Sequence, residues 1–276
     1  MKKIHAFHAL LVLLWVLATP AIAQPFDHVV QADVLSGWRQ AEGTHMAALR
    51  LRLAPGWKTY WRYPGDAGLP PRLHWHGSGN LDHVQMIWPA PKVFDEGGLR
   101  SIGYEHALVL PLHIRPKDST APIALRGQLS IGVCREVCIP LELTVHAALP
   151  AEAVAPDPQI AAALASTPLS AAEAGVSRVA CQLEPTKDGA QIRVRLHMPP
   201  AAAEEMVVIE PAEPAIFTLP PKSHRSGALL EAVAELLHQD GGAVLLNRST
   251  LRITVLPARA REGEGHAVEI EGCAAG

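Results

Sequence analysis

The sequence predicts an all-β chain of two β-sandwiches joined by an Ala/Pro-rich linker. Three observations predict it. Short segments of alternating polarity recur along the chain, as half-buried strands do. Proline and glycine, 24 and 21 of the 276 residues, punctuate those segments, and proline is costly inside helices. Between two strand-rich stretches lies a run, residues 147–175, made almost entirely of alanine, proline and small polar residues.

The chain begins with the layout of a secretory signal peptide at residues 1–23. Lys2 and Lys3 give a positive start, Ala9 to Val16 an apolar core, and Ala21-Ile22-Ala23 a small-x-small cleavage signal before Gln24. That core is too short to span a bilayer, and no later stretch approaches the roughly 18 apolar residues a membrane helix needs. The expectation is an exported protein that is not membrane-embedded.

Residues 24–146 read as the first sandwich. Met46 to Leu53, Leu108 to Ile114, Ile123 to Ile131 and Ile139 to Val145 each have strand character. Pro55-Gly56, Pro64-Gly65, Gly77 to Asn80 and Lys117-Asp118 supply turns between them. Residues 147–175 read as the linker, with one short helix over Gln159 to Ala165. Residues 176–276 form the second block, with strands at Ala190 to Met198, Met206 to Ile209 and Leu251 to Leu256. Leu229, Leu230, Val233, Leu236 and Leu237 have helical spacing, so that segment reads as a short helix or as a strand that mimics one.

The net charge of −3, without a basic stripe, argues against a nucleic-acid partner. The 14 histidines are scattered, and His74 and His76 form the only H-x-H.

Chemistry points to the cysteines: Cys134, Cys138, Cys181 and Cys273. An even count in an exported chain reads as disulfides, with three possible connectivities. Proximity favours Cys134–Cys138, leaving Cys181–Cys273. On a straight strand Cys134 and Cys138 would lie about 13 Å apart. A disulfide needs Cα atoms within about 7 Å, so a bond requires the chain to reverse through Arg135, Glu136 and Val137. By chain entropy the short loop is worth roughly 2 kcal/mol and a Cys181–Cys273 loop roughly 4.6 kcal/mol. The short bond is thus assigned to function and the long one to structure. Arg135 favours a thiolate at Cys134, and Glu136 opposes it. Two thiolates alone make a poor metal site, although soft ligands would suit Cu(I).

Three segments together resemble the N-terminal periplasmic domain of the thiol:disulfide interchange protein DsbD, in the branch close to the copper-sensitivity suppressor protein ScsB. They are Pro55-Gly56-Trp57-Lys58-Thr59-Tyr60-Trp61-Arg62-Tyr63-Pro64-Gly65-Asp66-Ala67-Gly68-Leu69-Pro70, Trp88-Pro89-Ala90-Pro91-Lys92 running on to Gly103-Tyr104-Glu105, and Gly132-Val133-Cys134-Arg135-Glu136-Val137-Cys138-Ile139-Pro140. The resemblance covers residues 30–146 strongly and the second block weakly. It implies an immunoglobulin-like sandwich in the periplasm, with Cys134 and Cys138 as a redox pair and no cofactor. It implies a cap over the pair, placed here at Lys92 to Tyr104, with Phe94 and Tyr104 as shielding residues. It further implies an acidic pair, Asp95 and Glu96, that shuttles protons or tunes the thiols. The alternative for Asp95-Glu96 is a solvated turn before Gly97-Gly98, and for Phe94 and Tyr104 ordinary core packing. The cluster Trp57, Tyr60, Trp61 and Tyr63 divides between core and support for the cap, or forms a partner-binding face.

The implied partners are thioredoxin-like periplasmic proteins. The sequence carries neither a membrane domain nor a C-x-x-C, so electrons are expected from a separate membrane donor. Two other readings stay open: a non-enzymatic binding module with structural disulfides, and a copper-handling protein.

Overall fold

Alternating burial turns the expected segments into sheets. The computed structural model describes residues 28–66, 68–259 and 264–275, so the signal-peptide segment lies outside the described residues. Ten strands build the first unit: β1 (Val30–Arg39), β2 (His45–Leu53), β3 (Lys58–Gly65), β4 (Arg72–His74), β5 (Leu81–Met86), β6 (Lys92–Glu96), β7 (Leu99–Glu105), β8 (Ala107–Pro116), β9 (Ile123–Cys134) and β10 (Cys138–Leu149). One sheet runs β1-β2-β8-β5 and the other β10-β9-β3-β7-β6, with β4 also on β9. All pairs are antiparallel. In β9 the residues Ile123, Leu125, Leu129 and Ile131 are buried, while Ala124, Arg126 and Gln128 face out. Their partners in the core include Leu49, Leu51, Leu110, Leu112 and the fully buried Trp61.

The second unit repeats the two-layer plan. Its strands are β11 (Leu169–Ser170), β12 (Arg178–Pro185), β13 (Ala190–His197), β14 (Glu205–Glu210), β15 (Ile216–Thr218), β16 (Lys222–Ser226), β17 (Leu229–His238), β18 (Arg252–Pro257), β19 (Val268–Glu271) and β20 (Ala274–Ala275). They form sheets β11-β19-β18-β14 and β15-β17-β13-β12-β20, with β16 beside β17. The ambiguous leucine-rich segment is strand β17. Leu230, Ala232, Ala234 and Leu236 bury one face, and Leu229 to Leu236 pair with β13. Its helical spacing was a coincidence of leucines on both faces of a strand.

The Ala/Pro-rich run is packed against both units. Strand β10 continues into it as far as Leu149, and β11 pairs in parallel with β19. Between them lies helix α1 (Pro158–Ala165), capped by the Asp157 carboxylate, which accepts from the backbone N–H of Gln159 and Ile160. Ile160 is fully buried beside Met46 and Ala48 of β2. The two units also share an apolar boundary. Met206, Val208, Leu256 and Ala258 of the second join the core cluster of the first.

Across that boundary Arg62 of β3 forms a fork with both oxygens of Glu210, at 2.9 and 3.0 Å, and also bonds Glu269. Burial alone would push the guanidinium down, but the two carboxylates outweigh it and hold it above its ordinary value. Its other face lies on the Trp61 ring, 4.0 Å from the centroid.

Candidate redox site

The hairpin joining β9 to β10 brings the two cysteines together. Cys134 ends one strand, Cys138 opens the next, and the two are paired in register. Arg135, Glu136 and Val137 make the turn, and the Arg135 N–H donates to the Val137 carbonyl at 3.3 Å. The sulfurs are bonded, with Cα atoms 4.1 Å apart. This is the reversal that a bond at this spacing demands. The two residues differ sharply in access: Cys134 is 6 % exposed, whereas Cys138 lies open at the surface.

Strand β3 lies alongside β9 and pairs Lys58 with Cys134 and Thr59 with Val133. The buried Thr59 hydroxyl donates to the Gly132 carbonyl at 2.9 Å and pins this register. The next residue, Tyr60, is 6 % exposed and lays its ring against Gly132. A Cβ at Gly132 would sit 3.2 Å from that ring and 2.9 Å from Leu69 Cβ, so glycine makes the approach possible. The Tyr60 hydroxyl reaches both sulfurs, 2.7 Å from Cys134 Sγ and 3.2 Å from Cys138 Sγ. A disulfide sulfur carries no proton, so the hydroxyl is the donor.

The expected cap region is the β6–β7 hairpin, which turns through Gly97 and Gly98 at φ 65° and 88°. Phe94 and Leu99 to Gly103 from this hairpin enclose a pocket of about 150 Å³ with Lys58 to Tyr60, Cys134, Arg135, Glu136 and Cys138. The Lys58 ammonium lies over the Phe94 ring at 4.7 Å, and the Arg135 guanidinium over Trp57 at 5.4 Å.

Of the residues singled out from sequence, the structure brings Cys134, Cys138 and Phe94 together. Asp95 is not with them. Alternation along β6 sends it to the face opposite Phe94. There its carboxylate accepts from the Gly98 N–H at 3.3 Å and lies 3.8 Å from Arg259 of the second unit. Asp95 is not among the residues that line the pocket with the sulfurs. Glu96 pairs through its backbone with Leu99, and its side chain lies outside the described residues. Tyr104 lies in the core, the alternative stated for it above. It is 7 % exposed, stacks with Trp88 and donates its hydroxyl to the Pro89 carbonyl at 2.8 Å. Burial pushes that hydroxyl well above the usual phenol range. It anchors the base of the hairpin in the core and does not line the pocket.

Cys181 and Cys273 are bonded, with Cα atoms 5.7 Å apart, and tie β12 to the segment entering β20. Among the described residues no group of three or more His, Cys, Asp or Glu is placed to hold a metal ion. No helix of the described residues is long and apolar enough to cross a membrane.

Tyr60 is the residue that sequence reasoning undervalued, because it was read only as one of four clustered aromatics. Trp61 goes to the core, and Trp57 and Tyr63 are half-buried. The one available signal was the two-residue period that puts Lys58 and Tyr60 on one face of β3. It becomes useful only once β3 is known to lie beside β9.

Residues 27–150 match the family described as thiol:disulfide interchange protein DsbD, N-terminal. No curated protein matches the chain. Among solved structures, the N-terminal periplasmic domain of ScsB from Proteus mirabilis is 23% identical, with a TM-score of 0.64 over 92% of this chain and 97% of that one. At this identity the likeness is one of fold, and it extends over both units. A second structure, BspA_C_WT, is 7% identical at a TM-score of 0.18 and carries no argument.

Proposed function

We propose, from the match of residues 27–150 to the DsbD N-terminal family, that the Cys134–Cys138 pair carries periplasmic thiol–disulfide exchange with thioredoxin-like partners. The observation that carries this reading is the pairing of an exposed sulfur with a buried one under a shared hydroxyl donor. In the reduced pair, the Cys138 thiolate attacks a sulfur of the partner's disulfide. A mixed disulfide forms and the first partner thiolate leaves. The Cys134 thiolate then attacks Cys138 Sγ, closing the intramolecular bond and releasing the second partner thiolate. The partner gains two electrons and takes up two protons. The pair is left oxidised, as in this structure, and is restored by a separate membrane electron donor. Phe94 covers the pocket between encounters, and movement of the β6–β7 hairpin admits the partner.

Thiol trapping across glutathione or dithiothreitol redox buffers tests this. A reduction potential between about −180 and −270 mV is the expected result, the range of known exchange proteins. A pair that stays oxidised below about −300 mV would be a structural bond, and the chain would then read as a binding module.

Tyr60→Phe probes the hydroxyl. In the reduced state it donates to a thiolate, and a hydrogen bond to a charged group is worth about 1.5–3 kcal/mol. Its loss is expected to raise the pKa of the more acidic thiol by about one to two units, read from thiolate absorbance against pH. An unchanged titration would remove Tyr60 from the chemistry.

A further inference from the structure

Arg100 comes from the cap hairpin and Arg135 from the cysteine turn. Both are exposed and both line the pocket. Among the described residues neither guanidinium is ion-paired, although the Asp66 carboxylate accepts from the Arg100 backbone N–H at 2.8 Å, and Arg135 rests on the face of Trp57. Glu136 is the one acidic side chain among the described residues that line the pocket. Two apolar side chains of these turns are exposed: Val137, 71 % exposed between Glu136 and Cys138, and Leu99, 57 % exposed on the hairpin. The chain as a whole is acidic, at −3, so this cationic collar runs against its general charge.

We propose that this collar selects a protein partner whose reacting sulfur is flanked by carboxylates within an otherwise apolar contact. The inference rests on the exchange reading above and adds the chemistry by which the partner is chosen. The guanidiniums meet the carboxylates, while Val137 and Leu99 meet the apolar surface around the partner's sulfur. The pocket of about 150 Å³ admits a side chain rather than a whole peptide thiol, which places most of the contact outside it and favours a protein surface. The same positive field draws in anionic reactants and speeds their encounter.

Three small thiols of similar size test the collar: 2-mercaptoethanesulfonate, 2-mercaptoethanol and cysteamine. Each is compared at equal thiolate concentration by the rate at which it reduces Cys134–Cys138 in the mature protein. At low salt the sulfonate is expected to react about tenfold faster than cysteamine, and the ratio to shrink to about twofold at 1 M salt. In the double variant R100Q/R135Q the low-salt ratio falls to about twofold, with the melting temperature confirming an intact fold. Equal rates for the three thiols, or a ratio that survives the double variant, overturns the proposal and leaves the exchange reading standing. Saturation of the rate by the sulfonate at sub-millimolar concentration makes a small anionic thiol the occupant and overturns the assignment to a protein. No reduction by any of the three overturns the exchange reading, and this proposal with it.

Discussion

Cys134→Ser is expected to accumulate a stable mixed disulfide with a thioredoxin-like partner, whereas Cys138→Ser is expected to form none and to reduce partner at the rate of the uncatalysed reaction. The asymmetry follows from access. An attacking sulfur must meet the partner's sulfur in line across a protein–protein contact, and only Cys138 is exposed. Cys134, at 6 % exposure beneath Tyr60, can be reached by Cys138 but not by a second protein. Without Cys134 nothing resolves the mixed disulfide, so it persists and is seen on a non-reducing gel. Either substitution also removes the short disulfide, at about 2 kcal/mol, which leaves both variants folded enough to compare. Trapping through Cys134 in the Cys138→Ser variant would overturn the assignment of roles.

Arg62→Met is expected to cost about 3–5 kcal/mol of stability, because it removes the cation shared by two mostly buried carboxylates and leaves Glu210 without a counter-charge and Glu269 with only Arg252 at 3.6 Å. The side chains of Arg62, Glu210 and Glu269 are only 14, 16 and 26 % exposed, so water screens the remaining carboxylates poorly. For a chain of this size that cost lowers the melting temperature by about 6–20 °C. Adding Glu210→Gln and Glu269→Gln to the same variant is expected to recover most of the loss, since both carboxylates are then neutral and only the more exposed Arg252, which pairs with Glu269 at 3.6 Å, loses a partner. A small loss in Arg62→Met, unrelieved by the two glutamines, would show that the ion network contributes little across the boundary between the units.

Much of the architecture was legible because burial of a strand face has a local signature. Ile123 to Ile131 shows its period of two directly, and it is strand β9. The cysteine hairpin was legible for a different reason: covalent geometry forbids a bond at that spacing without a reversal. Where the local pattern was degenerate, as in Leu229 to Leu237, it allowed two structures, and pairing with β13 decided for the strand. The Ala/Pro-rich run carried a short helix signal at Gln159, but nothing in its composition showed that Ile160 would be buried against β2.

By itself the sequence determined which residues alternate into strands, where the chain turns and which two cysteines lie within reach of one another. These are short-range properties, set by sterics and by the periodicity of apolar side chains. Only the tertiary structure decided that Tyr60 would touch both sulfurs, that Cys138 rather than Cys134 would face solvent, that Asp95 would turn toward Arg259 and that Arg62 would bind the second unit. Each of these depends on strands or segments distant in the chain being brought side by side. That arrangement follows from burying the apolar faces of all the strands at once, and no single segment carries a record of it.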